Sequence, residues 1–288
     1  MSDINIFYFH IGQDEHLLHS LRQTRYTNPN ANIYLVGENV PDEAKQISNF
    51  YPYKSILCEQ SQKLIENYVN YSSNNAQFEL ICILRWFLFR NLAKKLNLNS
   101  LFCIDSDMLL YTDVVEPLRN FDSYRYALSS GTSAAVSCIN DVTVLDNYCN
   151  LVDGFYSPER IGEYYVVGER MIKKFDHIRS DMLCVYNNRL KNGLLGGICD
   201  MTFWGAYKNM DEPTMTGEIS SVVSGSTFDH NINSADCYEM KDGIKNIEWI
   251  DNVPYCKNIV LDKMVKFNLL HFQGYETKKL MKEYKTYE

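Results

Sequence analysis

Several things are missing from this chain of 288 residues, and each absence argues against a class of protein. No basic stripe exists. The 28 Lys and Arg residues are scattered among 36 acidic ones, for a net charge of -8. A nucleic-acid groove draws its affinity from phosphate neutralisation, so no nucleic-acid partner is expected. No Gly-x-x-x-x-Gly-Lys run occurs, which excludes a Walker-type ATPase at the motif level. The nine cysteines include no Cys-x-x-Cys pair, and their odd number and irregular spacing argue against a zinc cage or a disulfide framework. Cys82, Cys103 and Cys199 stand in apolar surroundings and read as small core hydrophobes, so free thiols in a reducing compartment are expected. No run approaches the ~20 apolar residues that span a bilayer. The longest, Leu80 to Phe89, is interrupted by Arg85. The first ten residues lack a basic stretch followed by an apolar one, so no signal peptide is read there and a cytoplasmic location is expected. No repeat, low-complexity tract or linker divides the chain, so 1–288 is expected to be a single domain.

What is present is a folded α/β pattern. The chain is 45% hydrophobic and 22% charged, ordinary for a globular protein. It is rich in tyrosine, with 21 residues, as clefts for polar ring-shaped ligands are, though half-buried packing explains the count equally well. Ile4 to His10 is β-branched and aromatic and reads as a first strand. Asp14 to Thr24 has helical spacing and ends before the turn signal Asn-Pro-Asn. Asn32 to Val36 reads as a second buried strand, and Pro41 to Phe50 as a helix with proline in its first turn. Strand and helix in alternation predict a Rossmann-like, mostly parallel central sheet flanked by helices. Asn74 or Asn75 can cap a long helix over Gln77 to Leu96, apolar nearly all round and therefore buried. Arg85 in its middle needs a partner, because an unpaired buried charge is costly.

The strand Leu101 to Ile104 follows, and it ends at Asp105-Ser106-Asp107. Residues two apart on an extended chain share a face, so both carboxylates are expected to point to one place. Strand ends are where open α/β sheets bind ligands. Two carboxylates at one point repel, and a divalent cation relieves the repulsion. Oxygen ligands favour Mg²⁺ or Mn²⁺, which complete their shells with water and substrate phosphates. The same short pattern also occurs as a plain turn or cap, so its context decides. Far downstream, His271 follows a strand-like apolar run, Gly274 opens a turn, and Lys278 follows. A neutral imidazole is a suitable third ligand for Mn²⁺, and the lysine is placed to reach a phosphate oxygen. The plainer alternative is a hydrogen-bonded histidine at the core edge beside a solvated lysine.

With these stretches together, the sequence resembles glycosyltransferases of the A-type nucleotide-diphospho-sugar fold. Asp105-Ser106-Asp107 is similar to the Asp-x-Asp signature of that superfamily. Arg85 is similar to the basic residue that reaches the donor in the lipopolysaccharide galactosyltransferase and glycogenin family. His271, Gly274 and Lys278 look like that family's His-x-x-Gly-x-x-Lys element, where the histidine binds metal and the other two contact diphosphate. Lys279 stands where that family has proline. Small bacterial and large-DNA-virus transferases that build glycans are similar too. The resemblance implies a single domain, with about 1–110 binding the nucleotide-sugar and about 111–288 binding acceptor and carrying the C-terminal metal and diphosphate element. It implies Mn²⁺ or Mg²⁺ on Asp105, Asp107 and His271. It also implies a UDP-sugar or, second, a GDP-sugar as donor, and an oligosaccharide or other glycan acceptor.

Sugar transfer needs a stabilised leaving diphosphate and a deprotonated acceptor hydroxyl. His10, Ile11 and Gly12, at the end of the first strand, are expected to border the nucleotide with Ser106. Gly196-Gly197-Ile-Cys-Asp200 heads an apolar helix-like segment containing Trp204. Asp200 is read as the base of an inverting transfer, or else as an ordinary helix cap. Trp204 and Tyr275 are candidates to stack on sugars, with core packing the alternative for Trp204. Thr227 to Asn233 reads as a loop lining the acceptor cleft or as a surface turn. Two rival functions remain. A nucleotidyltransferase would show a glycine-rich basic loop after the first strand, where this chain has His-Ile-Gly-Gln-Asp-Glu. A silent glycan-binding protein would have no need of the metal triad.

Overall fold

Ile6, Phe7 and Tyr8 are wholly buried, and a strand buried on both faces belongs in the middle of a sheet covered on two sides. The first strand, Asn5–Ile11, does lie inside its sheet. The structure is a computed structural model that describes residues 4–210 and 215–287. The first three residues of the stretch read above for a leader lie outside that range. Among the described residues the central sheet has seven strands, in the order Thr216–Glu218, Tyr126–Ser129, Ser133–Ile139, Leu101–Ile104, Asn5–Ile11, Asn32–Glu38 and Asn49–Pro52. From Leu101–Ile104 to Asn49–Pro52 the pairings are parallel, and Ser133–Ile139 joins antiparallel. Helix Glu15–Thr27 buries Leu17 and Leu21 against this sheet in one cluster with Ile6, Tyr8, Ile33 and Leu35. The α/β sheet with covering helices is the expected architecture.

One expected helix is shorter than its sequence pattern. Asp42–Ile47 is helical, but Ser48 is extended and Asn49–Pro52 pairs as an edge strand with Asn32–Glu38. Proline is tolerated there because an edge strand leaves one side without ladder bonds. Phe50 and Tyr51 prefer that pleated surface.

By its contacts the chain forms two compact units. One comprises Met1–Pro52, Ser100–Asn140 and Gly217–Glu288; the other comprises Tyr53–Asn99 and Asp141–Thr216. Neither is a continuous stretch bounded near residue 110. The first unit holds a second sheet, in which Lys263–His271 pairs with Ser226–Phe228, Val253–Asn258 and Met108–Leu110. The other unit is mainly helical. Its long helix Ala76–Leu96 is capped by Asn75, whose side chain accepts from the Gln77 and Phe78 N–H groups at 2.9 and 3.2 Å. Phe78 is exposed while Glu79 is buried, the reverse of what apolar counting implies. Ser72 and Asn74 donate to the Glu79 carboxylate at 2.8 and 2.7 Å, which makes its burial possible. Trp204 is core: it stacks on Tyr148 with ring centroids 4.3 Å apart and meets the edge of Trp86. Among the described residues no helix is long and apolar enough to cross a membrane. All nine cysteines stand as thiols rather than disulfides.

Candidate metal centre

Asp105, Ser106 and Asp107 lie where the chain leaves one sheet for the other. Leu101–Ile104 belongs to the central sheet, and Met108–Leu110 pairs antiparallel with Lys263–His271 in the second. The three residues form a turn between these strands rather than the extended run on which the shared face was expected. The carboxylates still converge, because the turn bends them back to one point. The second sheet then supplies the distant ligand. Its register sets His271 opposite Met108, and the Phe272 N–H donates to the Asp107 carbonyl at 2.9 Å. One ligand atom each from Asp105, Asp107 and His271 lie within 4.8 Å of one another.

His271 is held by bonds that leave one ring nitrogen facing the carboxylates. Its Nδ1 donates to the His230 carbonyl at 2.6 Å, which fixes the tautomer and turns Nε2 toward Asp107 Oδ1, 3.4 Å away. Its backbone N–H donates to Asp229 Oδ2 at 3.1 Å. The other Asp229 oxygen accepts from Lys245 Nζ at 2.8 Å, and Lys245 also donates to the Asn231 carbonyl and to Asp236. Asp229 and Lys245 are almost wholly buried. Thr227, Phe228 and Asp229 are buried, so the segment 227–233 is not a plain surface turn. Ser226–Phe228 is a strand beside Lys263–His271, and the residues after it brace the candidate ligand. Lys245 went unrecognised in the sequence, where it is one lysine in a polar stretch with no spacing that points to Asp229.

The electrostatics suit a cation site. Burial pushes the Asp107 carboxyl up, but His271 and Lys278 outweigh it and hold Asp107 well below the usual carboxylate range. Burial lowers the His271 pKa, but the Asp107 and Asp105 charges and the His230 carbonyl raise it to about 9. In the absence of a metal, an imidazolium and the Lys278 ammonium, 3.1 Å from Asp107 Oδ2, supply the positive charge that the carboxylates demand. Oxygen and one imidazole nitrogen are the donor set for Mn²⁺ or Mg²⁺, so these residues fit the expected ion.

The other expected residues fall into two groups. Around the centre, His10 Nδ1 hydrogen-bonds Ser106 Oγ at 2.8 Å, and His16 Nε2 lies 3.4 Å from the same oxygen. Ile11 ends the first strand. Gly12 (φ 124°) and Gly274 (φ 103°) both adopt backbone that L side chains resist. Gly274 heads the short helix Tyr275–Lys278, which carries Lys278 to Asp107. Tyr275 is exposed, with Lys279 Nζ over its ring. Arg85 and Asp200 lie in the mainly helical unit, joined to each other by a 2.8 Å ion pair with both side chains mostly buried. Asp200 is also the first residue of helix Asp200–Met210, and its Oδ1 accepts from the Met201 N–H at 2.8 Å. Arg85, expected to reach the donor, bonds Asp200 in this structure. Gly197 is required for close approach: a Cβ there would lie 2.1 Å from the Tyr71 carbonyl oxygen.

No family model matches the chain, and no curated protein matches it. Solved structures of glycosyltransferases do resemble it. Mouse xyloside xylosyltransferase 1, apo form, is 13% identical over 78% of this chain and 88% of its own, with a TM-score of 0.38. The apo structure of the bifunctional glycosyltransferase WbbM is 11% identical over 99% of this chain, with a TM-score of 0.49. The chain spans 50% of the length of that structure. An active-site mutant of LgtC is 11% identical over 99% of this chain and 97% of its own, with a TM-score of 0.44.

Proposed function

We propose that this chain is a metal-dependent glycosyltransferase that moves a sugar from a nucleotide-diphospho-sugar, UDP-linked before GDP-linked, to a glycan hydroxyl. One observation supports the reading: Asp105 and Asp107, on the turn between two strands, and His271, in the second sheet, offer ligand atoms within 4.8 Å of one another, beside a lysine. A bound Mn²⁺ or Mg²⁺ would supply Lewis-acid stabilisation of a leaving diphosphate. The chain's own residues do the rest. Asp105 and Asp107 would hold the cation, and the His230 carbonyl keeps His271 in the ligating tautomer. Lys278, 3.1 Å from Asp107 Oδ2, would reach a phosphate oxygen beside that site. His10, Ser106, Ile11 and Gly12 border the nucleotide at the end of the first strand, and Gly274 lets the backbone approach the diphosphate.

On the mainly helical unit, Asp200 is the proposed base of an inverting transfer. Both of its oxygens already accept hydrogen bonds, one from Arg85 and one from the Met201 N–H. Base catalysis by Asp200 therefore requires the Arg85 contact to open when acceptor binds. The residues 1–288 are taken to act as one domain, at a cytoplasmic location consistent with the free thiols.

A thermal-shift screen of nucleotide-sugars with and without Mn²⁺ tests the reading. A ligand that binds only the folded state raises the melting temperature by mass action. At least one UDP- or GDP-sugar should raise it in the presence of Mn²⁺ alone. A screen in which no nucleotide-sugar shifts the melting temperature counts against the proposal.

A further inference from the structure

Beside the carboxylate centre, the exit of the first strand gathers a second set of ligand atoms, of which the proposed reaction uses only His10, at the border of the nucleotide. His10, Asp14 and His16 offer one ligand atom each within 4.8 Å of one another. Three independent features point inward. His10 is more than nine-tenths buried, and its Nε2 faces Asp14 Oδ2 at 3.2 Å without the geometry of a hydrogen bond. Its Nδ1 is committed to Ser106, so Nε2 is the nitrogen left to coordinate. Asp14 stands at the N-cap of helix Glu15–Thr27, where an aspartate ordinarily bonds the first N–H groups. Here it makes no such bond, and its carboxylate turns to His10 instead. Gly12 keeps the space clear: a Cβ there would lie 3.0 Å from Asp14 Oδ2 and 3.9 Å from His10 Nε2.

We infer that His10, Asp14 and His16 form a second cation site, selective for a zinc-class transition metal and distinct from the Asp105, Asp107 and His271 centre. Two imidazoles and one carboxylate suit Zn²⁺ and its neighbours rather than Mg²⁺. Three protein ligands leave a fourth position for water. Ligand atoms about 2.0–2.1 Å from a tetrahedral Zn²⁺ lie about 3.3 Å apart, close to the His10–Asp14 separation. The His16 ring has only to swing toward the pair, and it is half-buried at the first turn of its helix. Burial lowers the pKa of both imidazoles, with Lys278 adding to the effect. Asp14 opposes it at both rings and Asp107 at His16. Ser106 Oγ, between the two rings, ties this cluster to the turn that carries the carboxylates.

The inference does not rest on the transfer reading. Calorimetric titration of the metal-free, full-length protein with ZnCl₂ tests it, using Asp14→Ala and His16→Ala, whose side chains are exposed or half-buried and whose loss leaves the core intact. Wild type should take two ions. His16→Ala and Asp14→Ala should each lose one, with its affinity falling by about a hundredfold or more. Asp107→Asn should lose the other, and His16→Ala combined with Asp107→Asn should lose both. One ion in wild type that survives Asp107→Asn but not His16→Ala would support this site and count against the carboxylate centre. Stoichiometry and affinity unchanged by both Asp14→Ala and His16→Ala, or a single ion that only Asp107→Asn removes, would overturn it.

Discussion

Asp107 and Asp200 are both buried carboxylates, each in its own unit and each held by positive charge, but their partners differ in what they can do when the aspartate is neutralised. Asp107 faces His271 and Lys278. The imidazole can shed its proton, and Lys278 is 34% exposed and can turn to water. Asp200 faces Arg85, which keeps its charge at any ordinary pH and is 12% exposed. The first arrangement can exchange its positive charges for a metal cation; the second keeps its charge, and Asp200 is freed only when the Arg85 contact opens. A buried carboxylate with replaceable partners is a binding site in waiting, and one beside a permanent charge stays occupied until that contact is broken.

The largest expected effect lies behind His271. Lys245→Met leaves Asp229 buried without its cation, and breaking such a pair costs about 3–5 kcal/mol. Denaturant unfolding should show that loss, and a double variant with Asp229→Asn should recover part of it. Next comes Asp200→Asn, which removes the carboxylate from the buried Arg85 ion pair and should cost about 3 kcal/mol. Asp107→Asn should cost less than Asp200→Asn at pH 9 and above, where His271 has shed its proton and Lys278 can turn to water. If unfolding curves there instead rank Asp107→Asn above Asp200→Asn, the contrast between the two sites is wrong.

The smallest effect is one of pH in the metal-free protein. The folded pKa of His271 is raised to about 9, above the ~6.5 of an unfolded chain. Its ion pair with Asp107 thus stabilises fully below pH ~6.5, and that contribution is lost as pH rises toward 9. The stability gap between wild type and Asp107→Asn should narrow over that window. A gap that widens with rising pH would have the sign of the linkage reversed.

The ligand-bearing elements were legible because each ends a strong apolar run. Leu101–Ile104 before Asp105 and the run before His271 are strands in both the sequence and the structure. The Asp105–Asp107 turn was not legible, since two carboxylates one residue apart look alike in a strand and in a bend. Nor was the Lys245–Asp229 brace, which depends on a fold-back of irregular chain that no periodicity reports. The need of Arg85 for a partner followed from burial alone, but its identity lay 115 residues away in Asp200. His16 was hidden for a related reason: on a helical pattern it is only a polar residue in a first turn, and its nearness to Ser106 comes from the sheet that places the first strand beside Leu101–Ile104.

The central claim is that Asp107 holds a cation which in turn holds a nucleoside diphosphate. Calorimetric titration of UDP into wild type and Asp107→Asn, each with and without Mn²⁺, tests it most directly. The account predicts binding to wild type that depends on Mn²⁺ and disappears in Asp107→Asn while the fold is retained. UDP binding of equal strength in both proteins, or binding to wild type indifferent to Mn²⁺, would contradict it.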